Sequence, residues 1–136
     1  MSYAVSPALQ KAVYEVLSAH GALAGLVGTD IFDAPPSGVV PGTYVSLGPE
    51  RVLDRSDASG RGAQHDFTVS VVTNADGFQS AKEIAGAVND ALAGPFPPLD
   101  RGKLVWMGFL RAQARREQAG QIRRIDLTFR ARVDDT

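Results

Sequence analysis

Residues 64–92 read QHDFTVSVVTNADGFQSAKEIAGAVNDAL, a strand running straight into a helix. In the first part, Phe67, Val69 and Val71 alternate with Asp66, Thr68 and Ser70. That period of two sends one set of side chains to a core and the other to water. Asn74-Ala75-Asp76-Gly77 then interrupts the alternation with turn chemistry and offers a side-chain oxygen to cap a helix. Phe78, Ala81, Ile84, Ala85, Val88 and Leu92 follow at helical spacing and form one apolar stripe. Gly94 and Pro95 end it, through a glycine in the left-handed C′ position and a proline that cannot continue a helix.

Before this unit, Ser6-Pro7 predicts a helix start, with serine as N-cap and proline at the first helical position. Leu9, Val13, Val16, Leu17 and His20 share one face of that helix, and Gly21 takes the C′ place. A short second helix is expected over 22–27, closed by Gly28 and folded back through Leu23 and Leu26. Ile31-Phe32 is a short apolar pair, and Ala34-Pro35-Pro36-Ser37-Gly38 is a loop. Thr43–Gly48 is a strand, Pro49 ends it or marks a bulge, and Val52-Leu53 extend the pairing. The run DRSDASGRGA, 54–63, has no bulky apolar side chain and is expected to be an exposed, mobile hairpin tip.

After it, Phe96-Pro97-Pro98-Leu99 is a stiff linker, and residues 103–117 form a long strand. A strict period of two puts Leu104, Trp106, Leu110, Ala112 and Ala114 on one face, and Val105, Met107 and Phe109 on the other. A strand apolar on both faces calls for cover on both, from helices or another subunit. Gln118-Ala119-Gly120 is a hairpin turn. The last strand points Ile125, Leu127, Phe129, Ala131 and Val133 inward and Arg124, Asp126, Thr128, Arg130 and Arg132 outward, with Asp134-Asp135-Thr136 fraying. The whole, residues 1–136, is expected to be a single α+β domain. Its sheet is mainly antiparallel with about four strands, and the two main helices pack on one face.

Composition narrows the function. With no cysteine, disulfides and thiolate metal sites are excluded. No apolar run reaches the ~20 residues of a membrane span, and the N-terminus lacks the pattern of a signal peptide, so a cytoplasmic origin is expected. Residues 1–100 hold 5 Lys/Arg and 11 Asp/Glu, whereas residues 101–136 hold 9 Lys/Arg and 4 Asp/Glu. An acidic body thus carries a basic C-terminal segment. Solvated strand faces, a head-to-tail contact between copies, or nucleic acid would each account for it.

Chemistry-bearing constellations are poor. Of the 2 histidines, His20 closes a helix, and His65 sits beside Asp66 on a strand, where neighbours point to opposite faces and cannot act together. Asp54 and Asp57 lack the remaining ligands of a calcium loop. Gly25–Gly28 reads as a helix end, and Ser59-Gly60-Arg61-Gly62 has no P-loop context. No GxSxG elbow occurs. The alternative to an assembly role is a nucleic-acid-binding module using the arginine-rich hairpin, Arg111, Arg115, Arg116, Arg123, Arg124, Arg130 and Arg132. Stacking aromatics are not interleaved on its polar face. Arginine is equally at home at protein interfaces, where it pairs with carboxylates.

Several stretches together resemble a phage family. They are Leu9-Gln10-Lys11-Ala12-Val13-Tyr14 with Leu17 and Leu23…Leu26-Val27-Gly28; Ile31-Phe32-Asp33 before prolines; Tyr44-Val45-Ser46-Leu47-Gly48; His65 opening the Phe67–Val72 strand; Ala81–Leu92; and the closing Arg124–Val133 strand. In this order they are similar to the tail-completion, or tail-terminator, proteins of long-tailed phages and gene transfer agents. Here Gly42-Thr43 separate Pro41 from Tyr44, where the family usually has proline directly before the tyrosine. The resemblance implies a structural, non-enzymatic virion protein without cofactor or metal, located at the head-proximal end of the tail of a phage or gene transfer agent particle and made in the host cytoplasm. It implies a hexameric ring of identical subunits that caps the tail tube protein and meets the head-tail connector or stopper protein. DNA passes through the lumen without sequence recognition, and no membrane is involved. On that basis the expected interface residues are Arg55, Ser56, Asp57, Ser59 and Arg61 in the loop, and Arg111, Arg115, Arg116 and Arg123 in the hairpin.

Overall fold

A computed structural model describes residues 2–34, 38 and 40–135. A short 3₁₀ turn over Ser2–Val5 leads into helix α1 (Ser6–Ala19), then α2 (Gly21–Val27), β1 (Ile31–Phe32), β2 (Thr43–Asp54), β3 (Gly62–Thr73), α3 (Gln79–Ala93), β4 (Lys103–Glu117) and β5 (Ile122–Asp134). The strands form one sheet in the order β1-β2-β3-β5-β4. All pairs are antiparallel except β1 with β2. The sheet therefore has five strands, one more than the sequence suggested. The extra one is the pair Ile31-Phe32, too short to announce itself by periodicity. The loop expected at 34–38 lies mostly outside the described residues.

The core follows from the alternation. On β3, Ala63, Phe67, Val69 and Val71 face the helices, as do Ile125, Leu127, Phe129, Ala131 and Val133 on β5. Against them pack Leu9, Val13 and Leu17 of α1, Leu23 and Val27 of α2, and the α3 stripe of Ala81, Ile84, Ala85, Val88 and Leu92. Phe129 lies at the centre, stacked on Phe67 and edge-on to Phe109, each at 5.8 Å between ring centroids.

Four local expectations are corrected. Ser6 does not cap α1: the N-cap is Val5, and the Ser6 hydroxyl instead donates to Glu50 Oε1 at 2.5 Å. No side chain of 74–77 caps α3, whose N-cap is Phe78; Thr73 Oγ1 accepts from the Ala75 amide, and Gly77 turns the chain at φ +74°. Gly94 closes α3 in an extended conformation, with φ −80°. The C-terminal strand does not fray at 134–135. Arg101 donates two bonds to the Asp135 carboxylate, both 3.0 Å, and the Asp135 amide donates to the Arg61 carbonyl. Gly102 makes this closure possible, since at its φ of +76° a Cβ would lie 2.6 Å from the Asp134 carbonyl oxygen.

The largest correction concerns β4. Two β-bulges, between Leu104 and Trp106 and between Phe109 and Arg111, each insert one residue against β5. Every insertion flips the side-chain parity that follows. Leu104, Met107, Phe109, Ala112 and Ala114 thus share the helix-facing register of Val133, Ala131, Phe129, Leu127 and Ile125. Trp106 and Arg111 join the other face, opposite Arg132 and Thr128. A third bulge, at Gly48-Pro49 in β2, acts likewise and turns Glu50 inward.

Removing the central ring is the direct test of this core. Phe129→Ala should lower the unfolding free energy by about 3–5 kcal/mol in urea titrations, without changing the circular dichroism of the native state.

Candidate functional site: the open sheet face, hairpin tip and edge strand

All three helices cover one face of the sheet, so the other face must satisfy its own polar groups. Arg130 of β5 makes a two-pronged contact with Asp66 of β3, at 2.9 and 3.1 Å. Asp126 accepts from Ser70 at 2.6 Å and from Arg124 at 2.9 Å, and Arg115 of β4 reaches it at 2.9 Å. These ladders tie β3, β5 and β4 together across the open face.

The electrostatics follow the same geometry. The Arg130 hydrogen bonds hold the Asp66 carboxyl below its ordinary range, against a smaller opposing effect of burial. Burial pushes Asp126 up, but the bonds from Ser70 and Arg124 outweigh it, and the net shift is downward.

The hairpin tip is exposed, as expected, but it is built rather than structureless. Asp54 accepts from the Ser56 amide and hydroxyl, and Asp57 does the same for Ser59. These two Asp-x-Ser turns were visible in the sequence and are what the composition argument overlooked. Asp57 also bridges Gly60, the Arg55 amide donates to the Gly62 carbonyl at 2.8 Å, and Arg132 donates to the Arg55 carbonyl at 3.0 Å.

The sequence-selected arginines separate into two groups. Arg115 is held by Asp126, and Arg123 donates to the Ala75 carbonyl and lies over the Phe78 ring at 5.7 Å. Arg111 and Arg116 make no ion pair among the described residues. Arg111, Arg115, Arg116 and Arg123 sit away from the loop, whereas Arg55, Asp57 and Ser59 line a hollow together with Val105, Arg132 and Asp134. Residues that sequence reasoning placed in a covered strand are exposed instead, namely Val105, Trp106, Phe109 and Leu110 on β4.

One polar cluster lies inside. His65 is fully buried, with neither ring nitrogen hydrogen-bonded, and its Nδ1 is 3.5 Å from Glu50 Oε2. Asp66 points to the opposite face, as the strand period required. Glu50 is also the acceptor for Ser6, so the cluster pins the start of α1 to β2. Among the described residues, no group of three or more His, Cys, Asp or Glu could hold a metal ion, and no helix is long and apolar enough to cross a membrane.

A two-layer α+β unit with polar ladders on one face and an open edge strand has the features of an assembly subunit. The chain belongs to the family described as tail completion protein gp17, whose model matches residues 11–134. It is also similar to a chain in a solved structure described as the virion of a native gene transfer agent particle. The two are 57% identical, the match covers 98% of this chain and 99% of that one, and the TM-score is 0.92. No curated protein sequence matches it significantly.

The sign of the pH dependence follows from Asp66 and Asp126. Both carboxyls are depressed below the ordinary 3.8, so their contribution to stability is complete above that value and is lost as pH falls through the depressed values. Thermal unfolding followed from about pH 5 to about pH 2 should show stability falling with pH, and Asp66→Asn should flatten part of that slope while lowering stability at neutral pH.

Proposed function

We propose that this chain is the subunit of a ring, six copies in number, that closes the head-proximal end of a tail tube and offers the docking face for the head-side connector. It is a structural protein of the tail of a virion-type particle. The observation that carries the reading is the family match over nearly the whole chain together with the near-complete likeness to a virion component. The finer features are supported by the surface. The tip residues Arg55, Ser56, Asp57, Ser59 and Arg61 form an exposed, hydrogen-bonded projection suited to touch the tube, the connector or the lumen. Arg111 and Arg116 are available for a neighbour's carboxylates, while Arg115 on the open face and Arg123 on the helix side are held by internal contacts. DNA passes the ring without being read: Trp106 is exposed on the open face opposite Arg132, but a single aromatic is not the run of stacking platforms that single-stranded nucleic acid needs. The work is done by fit between surfaces, with no cofactor and no bond made or broken.

Deleting the gene tests this. Heads and tails should accumulate unjoined, with tails of irregular length, and transfer of DNA should be lost. Joined particles with normal tails would overturn the reading. Retention of the purified protein on DNA at low salt, falling steeply as salt rises, would favour the nucleic-acid-binding module instead.

A further inference from the structure

The two edges of the sheet are unlike. On the β2 side, β1 pairs with Val45 and Ser46, and the Gly48-Pro49 bulge interrupts the rest with a residue that has no amide to donate. On the other side β4 is open along its whole length, from Lys103 to Glu117, and holds no proline. Its bulges leave Val105, Trp106, Phe109 and Leu110 at 53, 54, 51 and 39% exposure. An open edge with large apolar side chains is a template for pairing, and proteins that stay monomeric blunt such edges.

Charge identifies what covers it. Arg111 lies on the open face of β4 and Arg116 on the helix side, so the two bracket the edge. Neither makes an ion pair among the described residues. At the opposite end of the same sheet, Asp30 and Asp33 bracket β1. No lysine or arginine occurs anywhere from residue 16 to residue 50. Gln10 of α1 donates to Asp33, which sets Tyr14, one turn further along the same flank and 40% exposed, beside that acidic end. The ends thus complement each other in charge, and each offers exposed aromatic surface.

Resting on the ring reading above, we propose that the β4 edge of one copy seats on the β1 end of the next. Arg111 and Arg116 meet Asp30 and Asp33, and the apolar side chains of β4 cover the Tyr14 flank. A contact between opposite ends of one sheet is head-to-tail, and it closes into a ring when the rotation per copy divides a full turn. The same contact covers part of the open edge on every subunit.

The natural chain has 0 cysteines, so introduced ones report unambiguously. Particles are prepared with Leu110→Cys, Tyr14→Cys or both, treated with a short bismaleimide, and run on a denaturing gel. The double variant should give a ladder of linked copies, and neither single variant should link. Self-linking of Leu110→Cys alone would mean a two-fold contact and overturn the proposal. So would a particle that contains the double variant but links it to another protein or not at all; the ring reading would survive both results. A chain missing from wild-type particles would overturn that reading as well. A charge exchange covers the case in which the cysteines prevent assembly. Arg116→Glu and Asp33→Arg should each reduce assembled particles by roughly tenfold or more, and their combination should restore them. Failure of the combination to restore assembly would count against the proposal.

Discussion

Strand β5 lies between β3 and β4 and is two-faced along its length, with Ile125 to Val133 buried against helices on one side and arginine, aspartate and threonine on the other. Helices are available for only one face, so the polar side must be stabilised within the sheet itself. The Arg130–Asp66 contact and the Ser70–Asp126–Arg124 cluster do this, and they fix the register of the strands at the same time. A one-residue slip would separate these partners and move the whole apolar set into water. The exposed tip, the open edge and the free arginines are all held in place by that central register.

Much of this was legible in the sequence. The alternation of Phe67, Val69 and Val71, the matching alternation of β5, and the α3 stripe depend on nearest-neighbour spacing alone, and they define the α+β layering. What escaped depends on partners distant in sequence. The β4 bulges are defined only against β5, so a strict period assigned Leu104 and Trp106 to one face when they lie on two. Ser6 looked like a cap because the local pattern fits, but Glu50, turned inward by its own bulge, competes for the hydroxyl. The pair Ile31-Phe32 becomes a strand only because β2 lies beside it. At the candidate interface, the basic segment was visible as a count of charges. Which arginines are free was not, since Arg115 and Arg123 find their partners through the fold.

The one arrangement resembling catalytic chemistry argues for structure instead. His65 of β3 and Glu50 of β2 approach each other beneath the start of α1, and the Ser6 hydroxyl, donating to Glu50, ties that helix to the sheet. The features that reach the surface are of another kind: an apolar edge, Arg111 and Arg116 without an ion pair among the described residues, an acidic opposite end and a braced loop. Such features recognise other surfaces. Membership in the tail completion family, and the likeness to a chain of a virion particle, give them a setting among other tail components.

On the proposed function, this polypeptide closes on copies of itself at the junction of tail and head. A reconstruction of the native particle at side-chain resolution addresses it most directly. The expected result is a closed ring at the head-proximal end of the tail into which this sequence fits, copy after copy. A ring at that position built from a different polypeptide, with this chain elsewhere or missing, would contradict it.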